Sequence, residues 1–532
     1  MMQKNKSALF LAVVVFTSVL IMTGCDSGNE DPSNPTSVPN APTIKDIHVE
    51  NRLISILWDV VEGADSYNLY WNTTGSVSTS DNSVTELKTP YGFISFEHSG
   101  LSFFKTYYYR LTAVNALGES SLSSEVSALP AVTSNELWQR ASSDYEDGDE
   151  FGRSVSISGD YLIAGAPNED EMGLDSGAVY LYNRDYGATD AWGVIAKRTA
   201  SDGGASDSFG HSVAISGDYF VVGAPNKDGS GADQGAAYVF ARDQGGTDAW
   251  GEVVILTASD AAAGDSFGNS VAISGDYVVV GANREGGGGT DRGAAYVYYR
   301  NQDGPDAWGE VMILTALGTA DGDRFGHSVS INGDYVIIGA PYKDDTGADQ
   351  GAVYVYYRNQ DGPDAWGEVV ILTASDAAAG DEFGFSVAID GDYVVVSAPN
   401  KDGSGTDEGA VYVFDRNRDG PDAWGEVLTL TASDAADSDY FGSSVSISGD
   451  YILVGAPYED GDGTGTDQGA AYVYYRNQDG PDAWGEVMKL ISWDPEDDDL
   501  LGYSVAISDH FAITGVPGED WIVTDIGAVS IF

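Results

Sequence analysis

Apolar and polar positions along most of this chain fall into one recurring pattern. From about residue 150 onward each block opens with a short alternating run, such as Ser212–Ser216, and continues with an unbroken apolar run, such as Tyr219–Ala224. A third run (Ala236–Phe240) and a fourth (Glu252–Ala258) complete it. Alternation predicts a half-buried strand, and an unbroken apolar run bounded by turn residues predicts a strand covered on both faces. The connections, Ser216-Gly217-Asp218, Pro225 to Gly235 and Arg242 to Gly251, are rich in turn formers, so each block predicts a four-stranded antiparallel sheet. Phe-Gly marks each block, its glycine at 152, 210, 268, 326, 384 and 442, a step of 58. Leu501-Gly502 follows after 60, the two extra residues lying between Tyr458 and Gly469. A strand-filled period of that length predicts a β-propeller rather than a helical solenoid. The seventh copy runs out at Phe532 after its third strand, while Glu136 to Asp144 aligns with Glu252 to Asp260. Residues 134–532 therefore predict seven blades, with strand 136–144 arriving first and completing the last blade, which leaves no open sheet edge.

Upstream the pattern changes. Residues 41–132 carry short alternating strands, among them Ile54–Trp58, Tyr67–Trp71 and Tyr107–Asn115, which predict a β-sandwich. Trp58, Leu101 six residues before Tyr107, and Ala113-Val114-Asn115-Ala116-Leu117-Gly118-Glu119-Ser120 resemble a fibronectin type III domain. It holds no Arg-Gly-Asp triplet, and its expected role is a spacer. The whole chain thus reads as all-β, a seven-bladed propeller preceded by a fibronectin type III-like sandwich.

The N-terminus has a different character. Lys4 and Lys6 precede an apolar run from Ala8 to Met22 that ends in Thr23-Gly24-Cys25, the layout of a secretory signal too short to span a bilayer. Met22-Thr23-Gly24-Cys25 resembles a bacterial lipoprotein signal, with Met22 where such signals usually carry Leu. The resemblance implies a signal at 1–24, acylation of Cys25, and a tether over 25–40, whose Ser, Asn, Pro and acidic residues read as solvated. An ordinary signal peptide with an incidental cysteine is the alternative. The expected location is the bacterial cell envelope, lipid-anchored, at the outer membrane or cell surface or the periplasmic face of the inner membrane.

Charge narrows the partners. Lys+Arg 25 against Asp+Glu 83 leaves a net −58 in 532 residues, which argues against nucleic acid and anionic lipid, since both are bound through cations. One cysteine excludes an internal disulfide framework. No Gly-x-Ser-x-Gly elbow occurs, and the five histidines are scattered, so nothing marks a catalytic centre that would break the repeat.

Phe-Gly, then Gly223-Ala224-Pro225, then Gly351-Ala352-Val353-Tyr354 resemble the FG-GAP repeat of integrin-α-type propellers. That resemblance implies surface recognition, with partners on the propeller's upper face. Copy three departs from it at Ala282-Asn283 and copy five at Ser397. The family's calcium loops join the first and second strands, where this chain has only Ser-Gly-Asp, too short to wrap an ion, so those sites do not carry over.

In a meander, the loop entering the first strand and the loop from second to third share a face, and both are acidic in every copy. Asp149, Asp207, Asp265, Asp323, Asp381, Asp439 and Asp499 precede the Phe-Gly or Leu-Gly pair by two residues, and an Asp precedes each Gly-Ala in the same way. Asp228 with Asp233, Asp402 with Asp407, and Asp460 and Asp462 with Asp467 place oxygens and glycines as hard cations require, making them candidate Ca²⁺ ligands. The alternative is that these carboxylates cap turns. The residue after Phe-Gly (Leu-Gly in copy seven) differs in every blade except for one repeated histidine: Arg153, His211, Asn269, His327, Phe385, Ser443 and Tyr503. It opens the innermost strand, so the seven are either drift at an exposed position or a shared mouth that confers specificity. The Asp-Ala-Trp motif (Asp306-Ala307-Trp308 and its relatives) falls on the opposite face, as packing between blades or as a sugar platform. The functional expectation is a monomeric, non-catalytic module binding an extracellular or envelope protein or glycan. A propeller enzyme acting on polysaccharide and a purely structural envelope protein are the alternatives.

Overall fold

The computed structural model describes residues 35–532, save 36, 51–52, 89–93, 100, 102–104, 129–137, 143–146, 189, 287–290, 317, 345–346, 461–465, 479, 481, 509 and 521–524. The signal, Cys25 and most of the tether lie outside the described residues. Among those described, every regular element is a strand, and no helix is long and apolar enough to cross a membrane. One compact unit takes in Leu53–Ser99 and Thr106–Leu129 with the strand before them; the other takes in Pro130–Phe532.

The first unit is a two-sheet β-sandwich. Its strands are β1 (Ile44–Glu50), β2 (Leu53–Trp58), β3 (Ser66–Asn72), β4 (Asn82–Leu87), β5 (Ile94–Ser99), β6 (Tyr107–Asn115), β7 (Gly118–Glu119) and β8 (Val126–Ala128). One sheet runs β1-β2-β5, the other β4-β3-β6-β7, with β8 also on β6. Alternate residues of β2, Ile54, Ile56 and Trp58, are buried together with Leu69, Tyr109 and Leu111. The Trp58 ring meets Tyr67 edge-on at 5.7 Å, and the Tyr67 hydroxyl accepts the Val61 amide at 2.6 Å. Burial pushes His98, whose Nδ1 lies 2.9 Å from the Tyr109 hydroxyl, down to about 4.

The second unit is the propeller. Six blades are four-stranded sheets in chain order, and the seventh is built from Val505–Ile507, Ala512–Val516, Ala528–Ile531 and the incoming β9 (Trp138–Arg140). β9 pairs antiparallel with the last strand of the chain, Val529 opposite Arg140 and Ile531 opposite Trp138. The second strand of each blade is buried along nearly its whole length, as its unbroken apolar run demands. In blade two the outer strand is Gly251–Leu256, beginning one residue before the expected Glu252–Ala258 and ending two before it; a bulge between Val239 and Phe240 shifts its register.

Blades are fastened to one another by a repeated set of contacts. Ser212 Oγ donates to Gly268 O of the next blade at 2.9 Å, as Ser154, Ser270 and Ser328 do to Gly210, Gly326 and Gly384. The backbone approaches so closely there that a Cβ on Gly223 would overlap the Gly268 carbonyl, which is why this position is glycine. Blade five carries Ser397 instead, and its Oγ accepts the Ser386 amide at 2.9 Å within its own sheet. At the opposite rim the Asp-Ala-Trp indoles are buried against an aromatic ring of the preceding blade, a tyrosine in five cases, for example Tyr161–Trp250 at 5.2 Å and Tyr219–Trp308 at 5.5 Å. The same contacts close the circle between the last blade and the first. Ser504 Oγ donates to Gly152 O at 2.8 Å, Trp192 packs on Phe511 at 5.0 Å, and Phe151, Leu162 and Tyr180 share a core with Ile513, Val529 and Ile531.

Candidate functional site

The loops entering the innermost strands and those joining second to third strands interlock on one face. Ser208 donates its amide to Asp175 O at 3.1 Å and Phe209 to Ser176 O at 3.0 Å; Glu150 donates to Asp525 O at 3.2 Å across the closure.

Within this face the buried aspartates each hold one turn. The Oδ2 of Asp207, Asp265, Asp323, Asp381, Asp439 and Asp499 accepts the amide three residues earlier, at 2.6–2.8 Å. Their countercharge varies from blade to blade. Lys227 and Lys401 reach Asp207 and Asp381 at 3.1 and 3.2 Å, and Lys343 lies 3.7 Å from Asp323. Blades one and six carry Glu169 and Glu459 at the lysine position, and there the outer strand supplies Lys197 and Lys489, each at 2.7 Å. Blade seven has Glu519 bonded by Gln139 at 2.7 Å. With no lysine nearby, burial pushes Asp499 up to about 7, and the Glu496, Asp520 and Asp494 charges add to the shift. Asp439 rises to about 6 for the same first reason.

The candidate calcium ligands occupy the loops between second and third strands. Asp228 Oδ1 accepts the Asp233 amide at 3.0 Å, Asp402 Oδ1 that of Asp407 at 3.1 Å, and Asp460 Oδ1 that of Asp467 at 3.2 Å. Asp170, Asp344 and Asp520 do the same in other blades, so each of these carboxylates has an oxygen committed to a backbone amide. Asp462 lies outside the described residues. Among those described, no group of three or more His, Cys, Asp or Glu side chains converges on one point.

The residues after Phe-Gly are half-buried in all seven blades and stand at the start of the innermost strands, around the axis of the ring. Neighbours among them touch. The Arg153 guanidinium lies 5.1 Å from the Tyr503 ring and bonds Glu150 Oε2 at 2.5 Å. Asn269 Nδ2 donates to His327 O at 3.0 Å, and the His327 ring packs 5.0 Å from Phe385. Ser443 Oγ donates to Tyr440 O at 2.9 Å. Burial, reinforced by the Arg153 charge, pushes His211 down to about 4. Burial and then Arg324 and His211 do the same to His327. Both imidazoles are therefore neutral at pH 7.

Two further rings stand beside this one. The residue before Phe-Gly or Leu-Gly (Glu150, Ser208, Ser266, Arg324, Glu382, Tyr440, Leu500) has φ between 52° and 60° in every blade. Gly or Asn would adopt that conformation at least cost, and holding Arg, Tyr or Leu there costs on the order of 1 kcal/mol each. A second left-handed position of this face is held by Asp175, Asp233, Asp349, Asp407, Asp467 and Asp525, and a third, two residues before Glu150 and its equivalents, by Gly148, Ser206, Gly264, Gly322, Gly380, Ser438 and Asp498, all small or turn-forming residues. Large side chains kept at the strained position are what a binding surface requires and a turn does not. The third ring follows the Gly-Ala-Pro proline and contributes Tyr342, 4.6 Å from the Arg324 guanidinium and 6.2 Å from the His327 ring, and Tyr458, 5.3 Å from Tyr440. Burial, with the Asp349 charge added, pushes Glu382 up to about 7 although Arg324 opposes it. Both rings vary between copies, and that variation was their signal in the sequence.

Comparison with known proteins gives the following. No curated protein matches the chain. Among solved structures, a Fn3-like protein from Clostridium thermocellum is 22% identical over 18% of this chain and 99% of its own, with a TM-score of 0.15. The third fibronectin III domain of a human protein is 18% identical over 21% of this chain and 96% of its own, TM-score 0.15. A β-1,2-glucanase from Parabacteroides distasonis is 28% identical over 19% of this chain and 14% of that enzyme, TM-score 0.15. The FG-GAP repeat matches seven times, at residues 141–182, 192–240, 250–298, 308–356, 366–414, 424–474 and 484–532, one match for each blade. With more than half its length in those matches, the chain belongs to the FG-GAP repeat family.

Proposed function

We propose that this protein is a non-catalytic recognition module of the bacterial cell envelope, lipid-anchored through Cys25, whose propeller mouth binds a protein or glycan partner. One observation carries the reading. Where the blades otherwise nearly coincide, the positions that differ among them are gathered on one face around the ring axis, and one of these rings keeps large side chains in a strained backbone conformation. A purely structural ring has no use for seven dissimilar mouths on seven similar blades. An enzyme would concentrate a nucleophile, a base and a stabiliser at one point, whereas the variation here is spread around the circle.

The test is a binding screen of the full chain in detergent against arrayed glycans and envelope proteins, repeated with His211→Ala, His327→Ala and Tyr503→Ala combined. The expected result is loss of the captured partner with a melting temperature within a few degrees of the parent. Partner capture undiminished by the triple change refutes the mouth as the binding surface.

A further inference from the structure

We infer that the partner is an acidic oligosaccharide, its carboxylates held at the mouth by Arg153 and Arg324. This rests on the reading of the mouth as the binding surface and names the chemistry it selects.

The first observation is where cations are left over. In a chain of net charge −58, Arg242, Arg300, Arg358, Arg416 and Arg476 of the opposite rim are each held by aspartates, while the exposed Arg418 belongs to no ion pair among the described residues. Arg358 pairs with Asp334 at 2.7 Å and Asp364 at 3.8 Å, and Arg300 and Arg416 each pair with two aspartates in the same way. Arg324 belongs to no ion pair among the described residues. It stands in the left-handed conformation, φ 54°, with its guanidinium over the Tyr342 ring. Glu382 feels the Arg324 charge without forming an ion pair with it, so the guanidinium at this strained position keeps a fork suited to a carboxylate. Beside it, His327 Nδ1 is buried with no hydrogen-bond partner among the described residues, a polar atom that a ligand could satisfy.

The second observation selects a sugar over an acidic peptide. Arg324 and Arg153 each sit against a tyrosine ring, Tyr342 at 4.6 Å and Tyr503 at 5.1 Å; Arg153 also pairs with Glu150 at 2.5 Å through Nη1, so only the rest of its fork is open to a ligand. A flat aromatic surface next to a guanidinium fork suits a uronic acid, whose pyranose offers a C–H face and whose carboxylate projects from the ring edge. Arg153 belongs to blade one and Arg324 to blade four, so the two pairs stand on different sides of the ring, and a ligand that engages both must be an oligomer.

The experiment titrates the full chain in detergent with a galacturonic acid oligomer, a galactose oligomer of the same length and a poly-glutamate peptide, by calorimetry. The acidic sugar is expected to bind at least tenfold tighter than either other probe, and Arg324→Gln to lower its affinity tenfold or more without changing the melt. Equal affinity for the neutral sugar, tighter binding of poly-glutamate, no binding of either sugar, or an Arg324→Gln protein that binds as the parent does would overturn the inference. The combined His211, His327 and Tyr503 variant separates the two readings. If it abolishes neutral-sugar binding that Arg324→Gln leaves intact, the mouth stands as the binding surface and only the acidic specificity falls.

Discussion

The two rims of the propeller are made from the same seven sheets, yet they follow opposite rules. At the Asp-Ala-Trp rim one arrangement is copied from blade to blade. The guanidinium–tyrosine distance is 5.3 Å for Arg242, Arg300, Arg416 and Arg476 and 5.2 Å for Arg358, each arginine also held by aspartates. At the Phe-Gly rim the side chains around the axis change from blade to blade while the backbone beneath them does not. One solution repeated at five places answers a demand made at each of them, which is blade packing. Differing side chains on an invariant backbone do not answer a packing demand repeated from blade to blade; on the proposed reading they answer one partner.

Deleting residues 134–144 should have the largest effect on this contrast, because it strips the outer strand from blade seven and opens both rims at once. The loss should exceed that of any point change, read as the largest fall in melting temperature and a broadened transition. Trp308→Ala comes next. Removing a buried indole from between blades should cost about 3–5 kcal/mol by denaturant titration, whereas single changes at His211 or Tyr503 should cost far less. Asp499→Asn should stabilise, on the order of 2 kcal/mol at pH 8, because the asparagine oxygen still accepts the Glu496 amide without a buried charge. The sign follows from its raised value, about 7. The folded state bears the full cost of ionising Asp499 above pH 7 and none well below the ordinary carboxylate value, so the gain should vanish by about pH 4. His211 and His327, held near 4, act oppositely in the same window. Their buried neutral rings lose stability as pH falls from about 6.5 toward 4, so His211→Gln should flatten the acid limb of the stability curve. The smallest effect is that of millimolar Ca²⁺, which should leave the melting temperature unchanged, since Asp228, Asp402 and Asp460 already serve backbone amides.

Much of this architecture was legible because the chain repeats itself. A missing fourth strand in the last copy and a spare one before the first told how the ring closes, and the second strand's unbroken apolar run told that both its faces are covered. The outer strand's limits were misplaced because a bulge leaves no mark in an apolar-polar pattern. Around the mouth, the position after Phe-Gly was visible because it varies. The position before it varies equally but passed for ordinary turn sequence, since a left-handed φ at Arg324 or Tyr440 contradicts residue preference. The exchange of Lys227 for the pair Glu169 and Lys197 escaped notice for another reason. Its two halves lie 28 residues apart, Glu169 in the loop after the second strand and Lys197 on the outer strand, and only the sheet register, which sets Tyr180 opposite Lys197, brings them to one place.

The strand that finishes the propeller is made long before the strand it must join. Trp138–Arg140 leaves the ribosome nearly four hundred residues ahead of Ala528–Ile531, so through most of translation the nascent molecule is an unfinished arc with an apolar flank awaiting its mate. A product cut short anywhere before blade seven can never conceal that flank. Sealing of the ring thus marks a chain made through blade seven, and a shorter fragment keeps an open sheet edge.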